Sequence, residues 1–113
     1  VDDELPVRTA LGRLLRLADY DVAIYASGEV FLAAIDARRP DCVVLDIHMP
    51  GLSGLDVQSR LKAAHAGVPV VFITASDDTE LERQILEAGG AQLLRKPFSN
   101  EKLLGAIGAA LGN

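Results

Sequence analysis

Residues 43–51 read VVLDIHMPG, an apolar run that is typical of a buried strand and that ends on the carboxylate of Asp46. A buried carboxylate costs free energy unless it is paired or bound. That cost is smaller at the end of a strand than in its middle. We therefore expect Asp46 to lie at the mouth of a sheet, close to groups that compensate its charge.

Helix and strand patterns alternate with short connections on both sides of this run. Apolar residues recur at helical spacing from Leu5, and strands are predicted at residues 21–27, 42–46, 68–76 and 91–95. Val1 leads directly into an acidic DDE segment, which implies a leading strand that is mostly missing from the chain. This alternation predicts a doubly wound α/β fold, in which a parallel sheet has helices on both faces.

Several polar residues mark where the predicted helices begin and end. Ser27 is positioned to cap a second helix that runs to Pro40, and Ser99 is positioned to cap the last helix. Asp77 and Glu80 have the spacing of a capping box for the helix before the last strand.

The composition restricts the class of protein. A length of 113 residues allows one domain, and the net charge of −5 argues against a nucleic-acid surface. No apolar run is long enough to cross a bilayer. The single cysteine, Cys42, excludes an internal disulfide and a zinc cluster, and it is expected to pack in the core. These features fit a reducing cytoplasm, and both ends of the chain suggest a fragment of a longer protein.

Polar side chains collect at the predicted strand ends, where ligands bind in a doubly wound sheet. Asp2 and Asp3 follow the implied first strand, Asp46 and Thr74 end two buried strands, and Lys96 follows the last strand. Three carboxylates, a hydroxyl and an ammonium therefore face one crevice. This set suits Mg²⁺ together with a phosphoryl group that Asp46 receives as a nucleophile.

Four motifs in this order, VDDE, VVLDIHMPGLSG, VVFITAS and LLRKPF, resemble the response-regulator receiver domain of two-component signalling. The resemblance covers residues 1–113 and lacks only most of the first strand. It implies a flavodoxin-like, five-stranded parallel sheet with strand order 2-1-3-4-5. It also implies a signalling switch whose own reactions are limited to phosphotransfer and autodephosphorylation.

The resemblance assigns roles to individual residues. Asp46 would accept the phosphoryl group from a sensor histidine kinase, and Asp2, Asp3, Asp46 and the backbone carbonyl of His48 would bind Mg²⁺. Thr74 and Lys96 would act as switch residues, with a cis bond before the proline that follows Lys96. Family comparisons also link His48 and Ser76 to the lifetime of the phosphoryl group.

The resemblance also implies partners. Receivers of this kind dimerise through the fourth helix, fifth strand and fifth helix, and the last helix here carries small residues at Gly105, Gly108, Ala109 and Ala110. An alternative is that these residues only let the helix sit close to the sheet. The overall pattern looks most like receivers that precede LuxR-type helix-turn-helix domains, which places DNA binding outside this chain.

One position departs from the family pattern. The residue three positions before the switch lysine is usually aromatic, and here it is Leu93. This departure leaves open a constitutive docking receiver that does not cycle phosphate. A haloacid dehalogenase-type phosphatase is a further alternative, but it requires a second aspartate two residues after the nucleophile, where this chain has His48.

Overall fold

The structure is a computed structural model that describes residues 1–64, 67–75, 79–87 and 92–112. Within these residues, five helices and three strands follow one another along the chain. They are α1 (Leu5–Leu17), α2 (Gly28–Ala34), β1 (Val43–Asp46), α3 (Gly54–Ala64), β2 (Val70–Thr74), α4 (Thr79–Glu87), β3 (Gln92–Arg95) and α5 (Asn100–Ala110).

The three strands form a parallel sheet with β2 in the centre. Leu45 of β1 pairs with Phe72 of β2, and Phe72 pairs in turn with Leu93 of β3. All five residues of β2 are buried, as expected for a central parallel strand that is covered on both faces. This part of the sheet agrees with the strands predicted from the sequence.

Two short segments continue the sheet beyond β1. The Val1 nitrogen donates to the Val44 carbonyl oxygen (2.7 Å), and the Asp46 amide donates to the Val1 carbonyl oxygen (3.0 Å). On the other side, the Asp2 amide donates to the carbonyl oxygen of Tyr25 (3.2 Å). Val1 and Asp2 thus lie between β1 and the segment that contains Tyr25, which matches the predicted spatial order.

The strand predicted at residues 21–27 is wrong, because residues 21–25 have no regular structure and residues 26 and 27 form a bend. A regular strand requires a ladder of backbone hydrogen bonds with its neighbour. In the described chain, the neighbouring segment consists of Val1 and Asp2, and it offers the Asp2 amide as the donor toward this edge. A single backbone hydrogen bond is not enough to form a regular pair of strands.

Helices cover both faces of the sheet, which confirms the doubly wound architecture. One face holds the first core cluster, in which residues of α2, α3 and α4 pack on β1 and β2; it includes Phe31, Ile35, Leu45, Val57, Leu61, Phe72 and Ile85. The opposite face holds the second core cluster, which comprises Val71, Leu103, Ala106 and Ile107 and is flanked by α1. Cys42 packs half-buried against this second cluster, as predicted.

Both predicted serine caps are present, since the side chain of Ser27 accepts from the Val30 amide and that of Ser99 accepts from the Lys102 amide. The expected extent of α2 is wrong. The helix ends at Ala34, whose carbonyl oxygen accepts from the Ala37 and Arg38 amides in the turn that follows. The predicted capping residue Asp77 lies outside the described residues.

The charge on α1 has one sign. Arg8, Arg13 and Arg16 are its charged residues, and the helix has no acidic residue although the chain as a whole carries −5. Leu17 at its end is 78% exposed. None of the helices in the described parts of the chain combines the length and the hydropathy needed to cross a membrane.

Candidate functional site

The parallel strands bring their carboxyl ends to one edge of the sheet. Asp46 is the last residue of β1, Thr74 is the last residue of β2, and Lys96 directly follows β3. The Lys96 amide donates to the Thr74 carbonyl oxygen at 2.7 Å, which ties these two residues together through the backbone. Asp2 reaches the same edge because its segment lies beside β1.

The Lys96 ammonium links the acidic residues of this edge. Its Nζ lies 3.1 Å from Asp2 Oδ2, 3.3 Å from Asp46 Oδ2 and 3.8 Å from Glu4 Oε1. Asp2 and Asp46 are 1% and 4% exposed, so the two shorter contacts are formed away from bulk water. Charge-assisted hydrogen bonds of this kind are stronger than neutral ones and hold the lysine over both carboxylates.

Four carboxylates at this edge fit a divalent cation. Oxygen atoms of Asp2, Asp3, Glu4 and Asp46 all lie within 4.8 Å of one another. Oxygen ligands of this type suit Mg²⁺, which usually takes one or two carboxylates and keeps several waters. Asp3 and Glu4 are exposed, so they face solvent where a hydrated ion would approach. The sequence analysis did not assign Glu4 to the site, although its position directly after Asp3 was a usable signal.

The surroundings of Asp46 shift its protonation equilibrium. Burial, followed by the nearby negative charge of Asp2, raises the pKa of Asp46, while Lys96 and the His48 amide oppose this rise. Partial burial lowers the pKa of Lys96, but its hydrogen bonds and charge contacts with Asp2 and Asp46 outweigh this effect and raise it overall. The lysine therefore stays charged at neutral pH beside the Asp46 carboxylate, whose ionisation is opposed by burial and by the charge of Asp2.

The loop after β1 is closed tightly around Asp46. The His48 amide donates to Asp46 Oδ1 (3.1 Å), and the Gly54 amide donates to the Ile47 carbonyl oxygen (2.9 Å). A Cβ atom at Gly54 would lie 2.7 Å from both the Asp46 carbonyl oxygen and Ile47 Cα. Only glycine allows the start of α3 to approach β1 this closely. The side chain of His48 is exposed, so its backbone is the part that faces Asp46.

Comparison with known proteins identifies this arrangement. Residues 1–108 match the family described as the response regulator receiver domain. The chain belongs to this family. The match favours the receiver interpretation over the phosphatase alternative.

Several receivers resemble this chain along nearly its whole length. The response regulator TodT of Pseudomonas putida is 39% identical over 111 residues, which cover 98% of this chain and 49% of TodT. The transcriptional regulatory protein FixJ of Bradyrhizobium diazoefficiens is 32% identical, over 98% of this chain and 54% of FixJ. The chain therefore spans about half the length of these relatives.

A solved structure supports the same fold. The crystal structure of a response regulator receiver protein from Burkholderia phymatum is 44% identical and superposes with a TM-score of 0.87. The match covers 99% of this chain and 91% of that chain. The flavodoxin-like fold that the resemblance implied is thus confirmed.

The two features that the resemblance singled out near Lys96 lie in β3 and directly after it. The Lys96–Pro97 peptide bond is cis, as expected. Leu93 is half-buried and packs against the first core cluster, where most receivers have an aromatic residue. Ser76, which was linked to the lifetime of the phosphoryl group, lies outside the described residues.

The outer end of the β1–α3 loop has a contact that the sequence analysis missed. Glu29, on α2, accepts a hydrogen bond from the Leu52 amide at 2.8 Å. Gly51, beside it, has φ of +76°, and a Cβ atom there would lie 2.5 Å from Glu29 Oε1. The two partners are 23 residues apart, and no local pattern predicts such a pairing.

Proposed function

We propose that this receiver domain is a phosphorylation-controlled switch in which Asp46 accepts a phosphoryl group from a sensor histidine kinase. The observation that carries the proposal is the Lys96 ammonium, placed within 3.3 Å of the carboxylates of both Asp2 and Asp46. A half-buried cation between two buried carboxylates provides a nucleophile together with a group that neutralises charge arriving on a phosphoryl group.

In the proposed transfer, phosphorus exchanges its bond to the kinase's histidine for a bond to Asp46. A carboxylate oxygen of Asp46 forms a bond to phosphorus, while the bond from phosphorus to the kinase's histidine nitrogen breaks and its electron pair stays on that nitrogen. Asp46 reacts in its ionised form, so no separate base is needed. Lys96 then turns its hydrogen bonds toward the phosphoryl oxygens, and the hydroxyl group of Thr74 donates to them.

Asp2, Asp3, Asp46 and the backbone carbonyl of His48 would hold Mg²⁺ in this proposal. The cluster of carboxylate oxygens within 4.8 Å supports this assignment, and Glu4 adds charge to the same cluster. When bound, the ion supplies positive charge that offsets the charge of the phosphoryl oxygens. Asp3 and Glu4, which are exposed, leave the entrance open to solvent.

The switch itself would be a shift between two populations. The phosphoryl group shifts the equilibrium only as far as it binds one arrangement better than the other. New hydrogen bonds to Thr74 and Lys96 would provide that difference. Because the Lys96 amide is bonded to the Thr74 carbonyl oxygen, movements at the ends of β2 and β3 are linked.

We further propose that the response is transmitted through α4, β3 and α5 to a second copy or to an output domain. A Cβ atom at Gly105 or Gly108 of α5 would meet no described atom within 4 Å, so packing on the sheet does not account for these glycines. Close contact with another surface would account for them. Relatives such as FixJ are named as transcriptional regulators, which supports a DNA-binding output domain of the LuxR type outside this chain.

The decisive experiment is the intact mass of the protein after incubation with acetyl phosphate and Mg²⁺. The wild-type protein should gain one phosphoryl group, and it should gain none without Mg²⁺. Asp46→Asn should gain none under any condition, because an amide oxygen is a poor nucleophile. Labelling of Asp46→Asn would refute the site assignment. A folded wild-type protein that stays unlabelled would favour a constitutive docking receiver.

A further inference from the structure

The β1–α3 loop is anchored at both ends and on its inner side. Ile47 and Met49 are buried in the first core cluster, and the Gly54 amide closes the loop onto Ile47. Between these anchors, Pro50 and Gly51 are exposed. The outer end of the loop therefore needs a separate contact if it is to be held in one position.

Glu29 provides that contact. Its Oε1 accepts from the Leu52 amide at 2.8 Å and also lies 2.5 Å from where a Cβ atom of residue 51 would be. The hydrogen bond from Leu52 is the main reason why the pKa of Glu29 is lowered. Glycine at position 51 thus leaves room for a carboxylate that reaches the loop from a different helix.

The other serine-capped helix shows that this contact is not a general feature of helix starts. Glu101 occupies the same position relative to Ser99 in α5 as Glu29 does relative to Ser27 in α2. Both glutamates lie in a first turn, where acidic residues are favourable. Within the described residues, however, Glu101 makes no side-chain hydrogen bond. The additional contact of Glu29 is therefore specific to the loop.

We propose that Glu29 is a positioning residue that fixes the loop after β1, and through it the His48 carbonyl, for metal binding. This inference rests on the proposed function of Asp46 and His48. Glu29 touches neither the metal nor the reacting atoms in this account. It acts by limiting the motion of the chain between His48 and Leu52.

The contact itself is tested by hydrogen exchange at the Leu52 amide in the metal-free protein. Glu29→Ala should accelerate exchange at Leu52 by about tenfold, as expected for the loss of one hydrogen bond to a charged group. Glu29→Gln keeps an acceptor oxygen and should restore part of the protection. Glu101→Ala should leave Leu52 unchanged. Equal exchange in the Glu29→Ala and wild-type proteins would overturn the inference.

The functional consequence is tested by calorimetric titration with Mg²⁺ and by labelling with acetyl phosphate. Glu29→Ala should weaken Mg²⁺ binding about three- to tenfold, by analogy with other groups that orient metal ligands. Its labelling rate at saturating Mg²⁺ should match that of wild type. The Mg²⁺ affinity of Glu29→Gln should lie between those of wild type and Glu29→Ala. The Mg²⁺ affinity of Glu101→Ala should equal that of wild type.

The outcomes separate this inference from the proposed function. If the wild-type protein binds Mg²⁺ and is labelled, but Glu29→Ala has the same Mg²⁺ affinity as Glu101→Ala, the inference is wrong and the proposed function stands. If the wild-type protein itself fails to bind Mg²⁺ or to take up label, the proposed function falls and the inference falls with it. Circular dichroism identifies any variant that has not folded, and Glu29→Gln then provides the deciding comparison.

Discussion

Two loops reach the site in different ways. The loop after β1, residues 47–53, is fixed mainly through its backbone, which bonds to Asp46, to Ile47 and to Glu29. The segment after β3 begins at Lys96, whose flexible side chain carries the contacts with the acidic residues. The same edge of the sheet thus combines a loop that is held by backbone hydrogen bonds, which we call the wall, with the Lys96 side chain, which is held by charge contacts and which we call the arm.

This difference shows which part of the site can respond to a change in charge. Backbone contacts such as the one between Gly54 and Ile47 depend on close packing, and they are insensitive to the charge on Asp46. The Lys96 contacts depend directly on that charge, so under the proposed function a new anionic group at Asp46 would redirect the lysine first. The predictions below test each side of this comparison.

The largest effect on stability is expected at Gly54. In Gly54→Ala, the new Cβ atom would lie 2.7 Å from backbone atoms of Asp46 and Ile47, which have little freedom to move. We expect a loss of about 3 kcal/mol in the free energy of unfolding, at the upper end of overpacking costs. Urea denaturation measures this loss, and a loss below about 0.5 kcal/mol would show that the wall is not rigid.

Lys96→Met tests the charge contacts of the lysine, and its effect on the free energy of unfolding should depend on pH. Burial and the charge of Asp2 raise the pKa of Asp46 above 3.8, and loss of the opposing lysine should raise it further. The folded state then loses stability as the pH rises through that pKa, because the carboxylate must ionise without its partner.

For this variant, the loss in the free energy of unfolding relative to wild type should be small near pH 4 and should reach about 2 kcal/mol at pH 7. The wild-type contribution of Lys96 persists over this range, since its own raised pKa lies above 10.5. Urea denaturation in chelator at several pH values provides the test. A deficit that does not change with pH would mean that Lys96 stabilises the fold by packing alone.

Gly105→Ala is the counterpart of the Gly54 substitution and should change the free energy of unfolding in the opposite direction. Position 105 lies inside α5, and a Cβ atom there would meet no described atom within 4 Å. Alanine should therefore stabilise the domain by about 0.5–1 kcal/mol through its higher helix propensity. The same denaturation experiment, performed at low protein concentration, measures the gain. Destabilisation would reveal a contact on this face within a single copy.

Leu93→Tyr should have the smallest effect on phosphorylation. Leu93 packs against the first core cluster, three residues before Lys96. We expect the initial rate of labelling by acetyl phosphate to stay within about twofold of wild type, less than 0.5 kcal/mol in the barrier. A tenfold change would place this position in the reaction itself, and the distinction between wall and arm would have to include β3.

The parts of the fold that follow from the sequence are those with strong local patterns. The continuous apolar run of β2 predicted a central buried strand, and the serines before α2 and α5 predicted caps that the structure contains. The strand ends then indicated that Asp46, Thr74 and Lys96 meet at one edge. Each of these inferences needed only neighbouring residues and the general geometry of parallel sheets.

The parts that could not be predicted depend on contacts between distant residues. Residues 21–27 have a β-like composition, but a strand also requires a ladder of hydrogen bonds with its neighbour, and Asp2 donates one such bond, to Tyr25. The pairing of Glu29 with Leu52 depends on how α2 packs beside the β1–α3 loop. The open space beside Gly105 and Gly108 likewise depends on the rotation of α5 about its axis, which is fixed by the burial of Leu103 and Ile107.

The arginines of α1 bear on how the domain associates with charged partners. Because this helix has three arginines and no acidic residue, the remaining residues together carry a net charge of −8. The positive charge of α1 therefore contrasts with the negative charge of the rest of the chain. Attraction of a negatively charged partner to these arginines would weaken as added salt shortens the Debye length.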